Sequence, residues 1–137
     1  MSNPQQMTRF INPPSLPRPV GYSHIAEVLN GRTLYISGQV AFDQSGNLVG
    51  PNDLRAQTHQ VFTNLKVALE AVGADFNSVV KLTYFLLDIS QIQTVREVRD
   101  QFVNTQQPPA SSAVEIRRLF RDGLLIEVEA IAVIPAS

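Results

Sequence analysis

The chain has no cysteine, which excludes disulfides, thiol nucleophiles and thiolate metal sites together and leaves the redox compartment unconstrained. It also lacks a charge imbalance: 11 Lys+Arg stand against 12 Asp+Glu, a net charge of −1. Without a basic excess there is no electrostatic footprint for a phosphate backbone or an anionic membrane, so neither nucleic acid nor membrane is expected as a partner. No phosphate loop, glycine-rich dinucleotide fingerprint or His pair at metal-ligand spacing occurs, and neither a metal nor a cofactor is expected. Residues 1–19 contain five prolines and no apolar run. Neither a signal peptide nor a membrane anchor is expected there, and a cytoplasmic location follows by default.

What is present fits one ordinary globular domain. The 137 residues, 44% hydrophobic and 17% charged, suffice for a core without staples. Residues 1–19 read as an extended N-terminal arm with a short strand around Arg9, Phe10 and Ile11, and residues 20–137 as a single domain. A loosely alternating run over 22–29 meets Asn30-Gly31, a type I′ hairpin signal, so 32–42 is expected as its partner strand. Gly38 interrupts that strand, which marks a bulge or a close approach of a ligand to the backbone. Asp53 is an N-cap candidate for a helix whose apolar residues recur from Leu54 to Val72, with Gly73 as its stop. Residues 78–89 return to strand character. Ser90-Gln91-Ile92-Gln93 resembles a capping box opening a second helix with Ile92, Val95, Val98 and Phe102 on its apolar face. Residues 112–119 and 124–134 are expected to close the fold as an antiparallel pair around Arg121-Asp122-Gly123. Two helices cannot cover both faces of such a sheet, so the bare face is expected against other subunits.

The last segment is the most telling. Successive strand residues point to opposite faces, which places Glu127 and Glu129 on one side with Ile131 and Val133. Ile126, Val128, Ala130, Ala132 and Ile134 cover the other. A strand this apolar on both sides belongs at the centre of a sheet or at a subunit contact. Carboxylates there must find partners, shift their pKa or do chemistry. Two readings follow: interface carboxylates paired with Arg117 or Arg118, or one general acid/base with a raised pKa. At i and i+2 the two lie about 6.5–7 Å apart, too far to work as a close pair. His59 falls on the polar side of the first helix and reads as solvated. His24, near Tyr22, reads as structural or as a pocket wall, and Ser37 lacks a His base and is a poor nucleophile.

Three segments, Tyr35-Ile36-Ser37-Gly38-Gln39-Val40, the strand from Val80 to Asp88, and Ile126 to Val133, occur in an order and at distances that resemble the RidA/YjgF family of reactive-intermediate deaminases. The resemblance runs from about Pro19 onward. It implies an α+β, chorismate-mutase-like fold with two helices on one face of a mixed sheet, and a homotrimer with small-molecule clefts between subunits. For the best-known branch it implies cofactor-free hydrolysis of amino-acid-derived enamines and imines to ammonia and a 2-keto acid. Carried over residue by residue, it makes Glu127 the glutamate that orients water and Tyr22 the N-terminal cleft tyrosine. Tyr22 joins Glu127 as a catalytic candidate, Ser37, Gly38, Phe85 and Ser111 become substrate-binding residues, and Glu129 is left with a structural role.

One departure bears on substrate. The branch's Pro-Ala-Arg, whose arginine clamps the substrate carboxylate, reads Pro109-Ala110-Ser111 here. Serine has neither the charge nor the bidentate fork. Losing a charge-assisted bond of about 1.5–3 kcal/mol corresponds to roughly 10–150-fold in binding. Arg117, six residues along, lies about 20 Å away on an extended strand, whereas Arg9 or Arg18 on the arm could supply a replacement cation. The sequence therefore predicts an imine or enamine hydrolase of altered substrate range, or alternatively a non-catalytic trimer binding a small metabolite.

Overall fold

A computed structural model describes residues 7–137; the first six residues of the expected arm lie outside the described residues. Six strands and two helices follow the order β1 (Thr8–Ile11), β2 (Ile25–Val28), β3 (Arg32–Gln39), α1 (Leu54–Ala71), β4 (Val79–Leu86), α2 (Ile92–Arg99), β5 (Ala110–Glu115) and β6 (Ile126–Ile134). The main sheet runs β3-β6-β4-β5, and β1 and β2 form a separate antiparallel ribbon. This is an α+β fold.

β6 is central, as its two apolar faces require. It pairs antiparallel with β3 on one side and β4 on the other. Ile126, Val128, Ala130, Ala132 and Ile134 are buried with Leu82, Tyr84 and Leu86 of β4 against Val61, Phe62, Leu65 and Leu69 of α1. The opposite face carries Lys81, Thr83, Phe85, Glu127, Glu129 and Ile131, and no helix covers it. Tyr35 stands there 81% exposed.

An aspartate caps α1, and another caps the 3₁₀ turn that leads into α2, whose own first turn follows Gln91 without a side-chain cap. The Asp53 carboxylate accepts from the Ala56 amide at 3.0 Å, and Gly73, at φ 74°, ends the first helix. The second start differs from the expected capping box at Ser90. Asp88 is the capping residue: it accepts from the Ser90 amide at 3.0 Å and the Ser90 hydroxyl at 2.6 Å, opening a 3₁₀ turn that runs into α2. An acceptor-only carboxylate one turn earlier outcompetes a serine that can spend its own hydroxyl on it.

Two strand pairings differ from expectation. Asn30-Gly31 does not join a hairpin: β2 pairs with β1, and β3 leaves to pair with β6. A Cβ on Gly31 would lie 2.6 Å from the Ile134 carbonyl oxygen, so this glycine lets the chain cross closely over the end of β6. Likewise β5 does not pair with β6. It runs parallel to β4 at the sheet edge, leaving the doubly apolar β6 inside and the small, polar Ala-Ser-Ser-Ala outside. The connection between β5 and β6 is held by Gln57 of α1. Its amide donates to the Gly50 and Gly123 carbonyls at 3.1 and 2.9 Å and accepts from the Leu125 amide at 2.9 Å. No helix among the described residues is long and apolar enough to cross a membrane.

Candidate active site

The β3–β6 register slips between Ile36 and Gln39, so Ser37 and Gly38 together face the single residue Glu129. This is a β-bulge, and it serves the neighbouring carboxylate. A Cβ on Gly38 would collide with the Glu127 carboxylate, its carbon lying only 2.6 Å away. Glu127 therefore lies over bare backbone where any other residue would displace it. On its other side, Phe85 of β4 is its direct cross-strand partner. Glu127, Gly38 and Phe85 thus converge on the uncovered face, with Ser37 one residue away.

Glu127 is half-buried and makes no hydrogen bond or ion pair among the described residues. Arg118 instead stands 3.8 Å from Asp122. Burial, and secondarily the negative charge of Glu129, push the Glu127 carboxyl above the ordinary range. An unpaired carboxyl with raised proton affinity is suited both to take and to return a proton. A cavity of about 220 Å³ further along the same strands is lined by Tyr35, Ser37, Lys81, Thr83 and Glu129, and not by Glu127. The Lys81 ammonium donates to the Ser112 hydroxyl at 2.9 Å.

Tyr22 and Ser111 lie elsewhere. Ser23, next to Tyr22, bridges Ala110 in parallel, its amide donating to the Pro109 carbonyl at 3.1 Å. Tyr22 packs edge-on against His24, ring centroids 5.2 Å apart, and His24 meets the Pro17 carbonyl through Nε2 at 2.7 Å. Tyr22 lines a second cavity, about 390 Å³, shared with Arg9, Gly21, Ser23 and Pro108. Arg9 is engaged by Glu27 at 2.7 Å, and Arg18 is exposed. Ser111 pairs with Leu82 and so shares the helix-side face, whereas Ser112 pairs with Thr83 on the Glu127 side. With strands about 4.8 Å apart, β5 is some 14 Å from β3 across the sheet. Within one chain, Tyr22 and Ser111 are not brought together with Glu127, Gly38 and Phe85.

Arg99 was not singled out by the sequence, yet it is one of few buried polar residues. The signal was available: position 99 falls on the stripe defined by Ile92, Val95, Val98 and Phe102, where a charged residue is out of place. His59 is exposed as expected and packs edge-on to Phe102. No group of three or more potential metal ligands clusters among the described residues.

The chain thus combines a four-stranded mixed sheet carrying two helices on one face with a carboxylate seated on a glycine bulge of the other. The family model described as Endoribonuclease L-PSP matches residues 15–134, and the chain belongs to this family, also known as RidA/YjgF. A RutC family protein of Pyrococcus horikoshii is 37% identical over 92% of this chain and 98% of its own length. The 2-iminobutanoate/2-iminopropanoate deaminase of Mus musculus is 37% identical over 91% of this chain and 90% of its own. Among solved structures, the Rid-family protein YyfB of Yersinia pestis, of unknown function, superposes with a TM-score of 0.87 at 38% identity. That match covers 94% of this chain and all of the other.

Proposed function

We propose that this protein hydrolyses reactive imines or enamines to a carbonyl compound and ammonia, in clefts formed between the subunits of a homotrimer. The observation that carries the reading is Glu127: a carboxyl without a partner, held over Gly38, beside Phe85, with raised proton affinity. In the reaction, water adds to the C=N carbon while Glu127 takes one of its protons and delivers it to nitrogen, giving the carbinolamine R₂C(OH)NH₂. Glu127 then takes the hydroxyl proton and passes it to nitrogen, so that the C=O double bond forms as the C–N bond breaks and ammonia leaves. Every atom of R₂C=NH plus H₂O is accounted for in R₂C=O plus NH₃, and no cofactor is required. An enamine enters the same route after protonation at carbon.

Ser37, Gly38 and Phe85 line the Glu127 half of the cleft. Tyr22 and Ser111 line the other half, contributed by a neighbouring subunit. The separation of the two halves within one chain supports an inter-subunit cleft, because a symmetric ring brings the half-site of one copy to that of the next. Ser111, in place of a clamping arginine, shifts how the substrate is anchored and hence the substrate range. A metabolite-binding trimer without catalysis is the second reading, favoured by that same serine.

The test is to generate 2-iminobutanoate in situ and follow its trapping by semicarbazide. Acceleration of hydrolysis by the wild type, abolished in Glu127→Ala, is the expected result. Inactivity on carboxylated and uncharged imines alike, with a metabolite retained in the cleft, overturns catalysis in favour of binding.

A further inference from the structure

We infer that Asn30 is a site of spontaneous covalent modification, where the Gly31 amide nitrogen cyclises onto the side-chain amide and position 30 becomes aspartate or isoaspartate. The site stands apart from the imine chemistry at Glu127 and does not depend on it.

Asn30 is the one asparagine of the chain that a glycine follows. Glycine puts no side chain in the way of ring closure. In a tight hairpin the pair would be spent on the turn itself. Here β2 ends at Val28 and β3 begins at Arg32, so Asn30 and Gly31 lie on the crossing from the ribbon to the main sheet, both exposed. The first ladder pair beyond them is Arg32 with Ile134. Among the described residues no loop carbonyl or side chain accepts from the Gly31 amide. Backbone N–H groups ordinarily find a protein acceptor or water. This one faces water and is available as a nucleophile.

The nitrogen gives its proton to solvent and attacks the side-chain carbonyl carbon of Asn30. The carbon's bond to the side-chain nitrogen breaks, and ammonia leaves with a proton from solvent. Water then adds to either carbonyl of the succinimide and breaks one of its C–N bonds. One opening gives aspartate, the other isoaspartate, and no oxidant or cofactor enters.

The two products differ in what they do to the fold. Aspartate adds a charge at an exposed position. Isoaspartate carries the main chain through the side-chain methylene and so lengthens the crossing by a carbon. There is little room for it: a Cβ on Gly31 would stand 2.6 Å from the Ile134 carbonyl oxygen and 2.7 Å from Val133 Cγ1. The longer backbone must lift from the end of β6, where Arg32 Nε also donates to the Pro135 carbonyl at 3.0 Å.

The test ages the full, folded chain at mildly alkaline pH and maps its tryptic peptides by mass. Expected is the gain that accompanies amide-to-acid conversion in the peptide 10–32, ahead of every other asparagine and faster as pH rises. Asn12 shares that peptide but precedes Pro13, which has no amide N–H to attack. Rearrangement at Asp122-Gly123 leaves the mass unchanged and does not enter the reading. Asn30→Gln, whose longer side chain closes a ring far more slowly, should keep its mass. Freshly purified Asn30→Asp should melt with the unaged wild type, whereas aged chains enriched in isoaspartate should melt lower. A peptide 10–32 that keeps its mass in the folded chain but gains it in urea overturns the assignment, as does earlier conversion of another asparagine. Aged and fresh chains that melt together, with Asn30 converted to isoaspartate, overturn the coupling to the end of β6.

Discussion

At the scale of single residues, the pairing of Gly38 with Glu127 makes the sharpest prediction. Gly38 is not in the left-handed region, so its substitution by alanine meets no backbone penalty, only the carboxylate above it. Gly38→Ala should destabilise by about 1–3 kcal/mol, the usual range for overpacking, and should displace Glu127, with loss of hydrolysis. In the double variant Gly38→Ala/Glu127→Ala most of that stability loss should vanish, a non-additivity readable in urea titrations. Glu127→Gln should retain shape and lose roughly 10²–10⁴-fold in rate, the usual reach of a positioned acid/base.

The raised Glu127 pKa has a second signature. The folded state holds this proton more tightly than the unfolded chain, so ionisation penalises folding as pH rises through the unfolded and then the folded pKa. Glu127→Gln should therefore melt above the wild type at pH 7 and together with it near pH 3. Glu129→Gln removes the nearby like charge, although Lys81 of β4 and Tyr35 of β3 share its surroundings. The limb of the pH–rate profile governed by Glu127 should move to lower pH, and an unmoved limb would assign that limb to another group.

At the scale of elements, Gln57 clamps two loops with one amide. Replacing it with Met, apolar and of similar length, strands the Gly50 and Gly123 carbonyls and the Leu125 amide. A cost of roughly 2–4 kcal/mol is expected in chemical denaturation, the scale of buried polar groups left unpaired. Which elements exist was legible in the chain; which of them touch was not. β6 announced its central place because its alternation left both faces apolar. α1 announced its start at Asp53 and its stop at Gly73. The partners of β2 and β5 were misread because adjacency in sequence is a weak guide when a more apolar strand competes for the same edge. The site divides in the same way. Glu127, Gly38 and Phe85 could be placed together from strand pattern and family likeness. The burial of Arg99 was hidden because it depends on the turn at Gly21, distant in sequence and brought near only by the fold.

At the scale of the molecule, one face of the main sheet remains without a helix. Ile131 and the exposed Tyr35 share it with the carboxylates. If three copies close on this face, sedimentation should report three times the 15.1 kDa of one chain. Tyr35→Glu should lower that mass and abolish hydrolysis together, since it would part the two halves of the cleft. A wild-type chain that sediments as one subunit would contradict the ring.

The sheet order β3-β6-β4-β5 also has a temporal meaning. The strand at the centre is the last to be synthesised, and it pairs with one of the earliest, Arg32 facing Ile134. Until β6 leaves the ribosome, β3 has no partner in the main sheet and β4 presents an open apolar edge. Nascent chains therefore expose unpaired strand edges until residues 126–134 emerge, with the longest-range contacts deferred to that point. Ribosome-stalled chains lacking residues 126–134 should be protease-sensitive and chaperone-bound, and emergence of that strand should trigger folding in one late step.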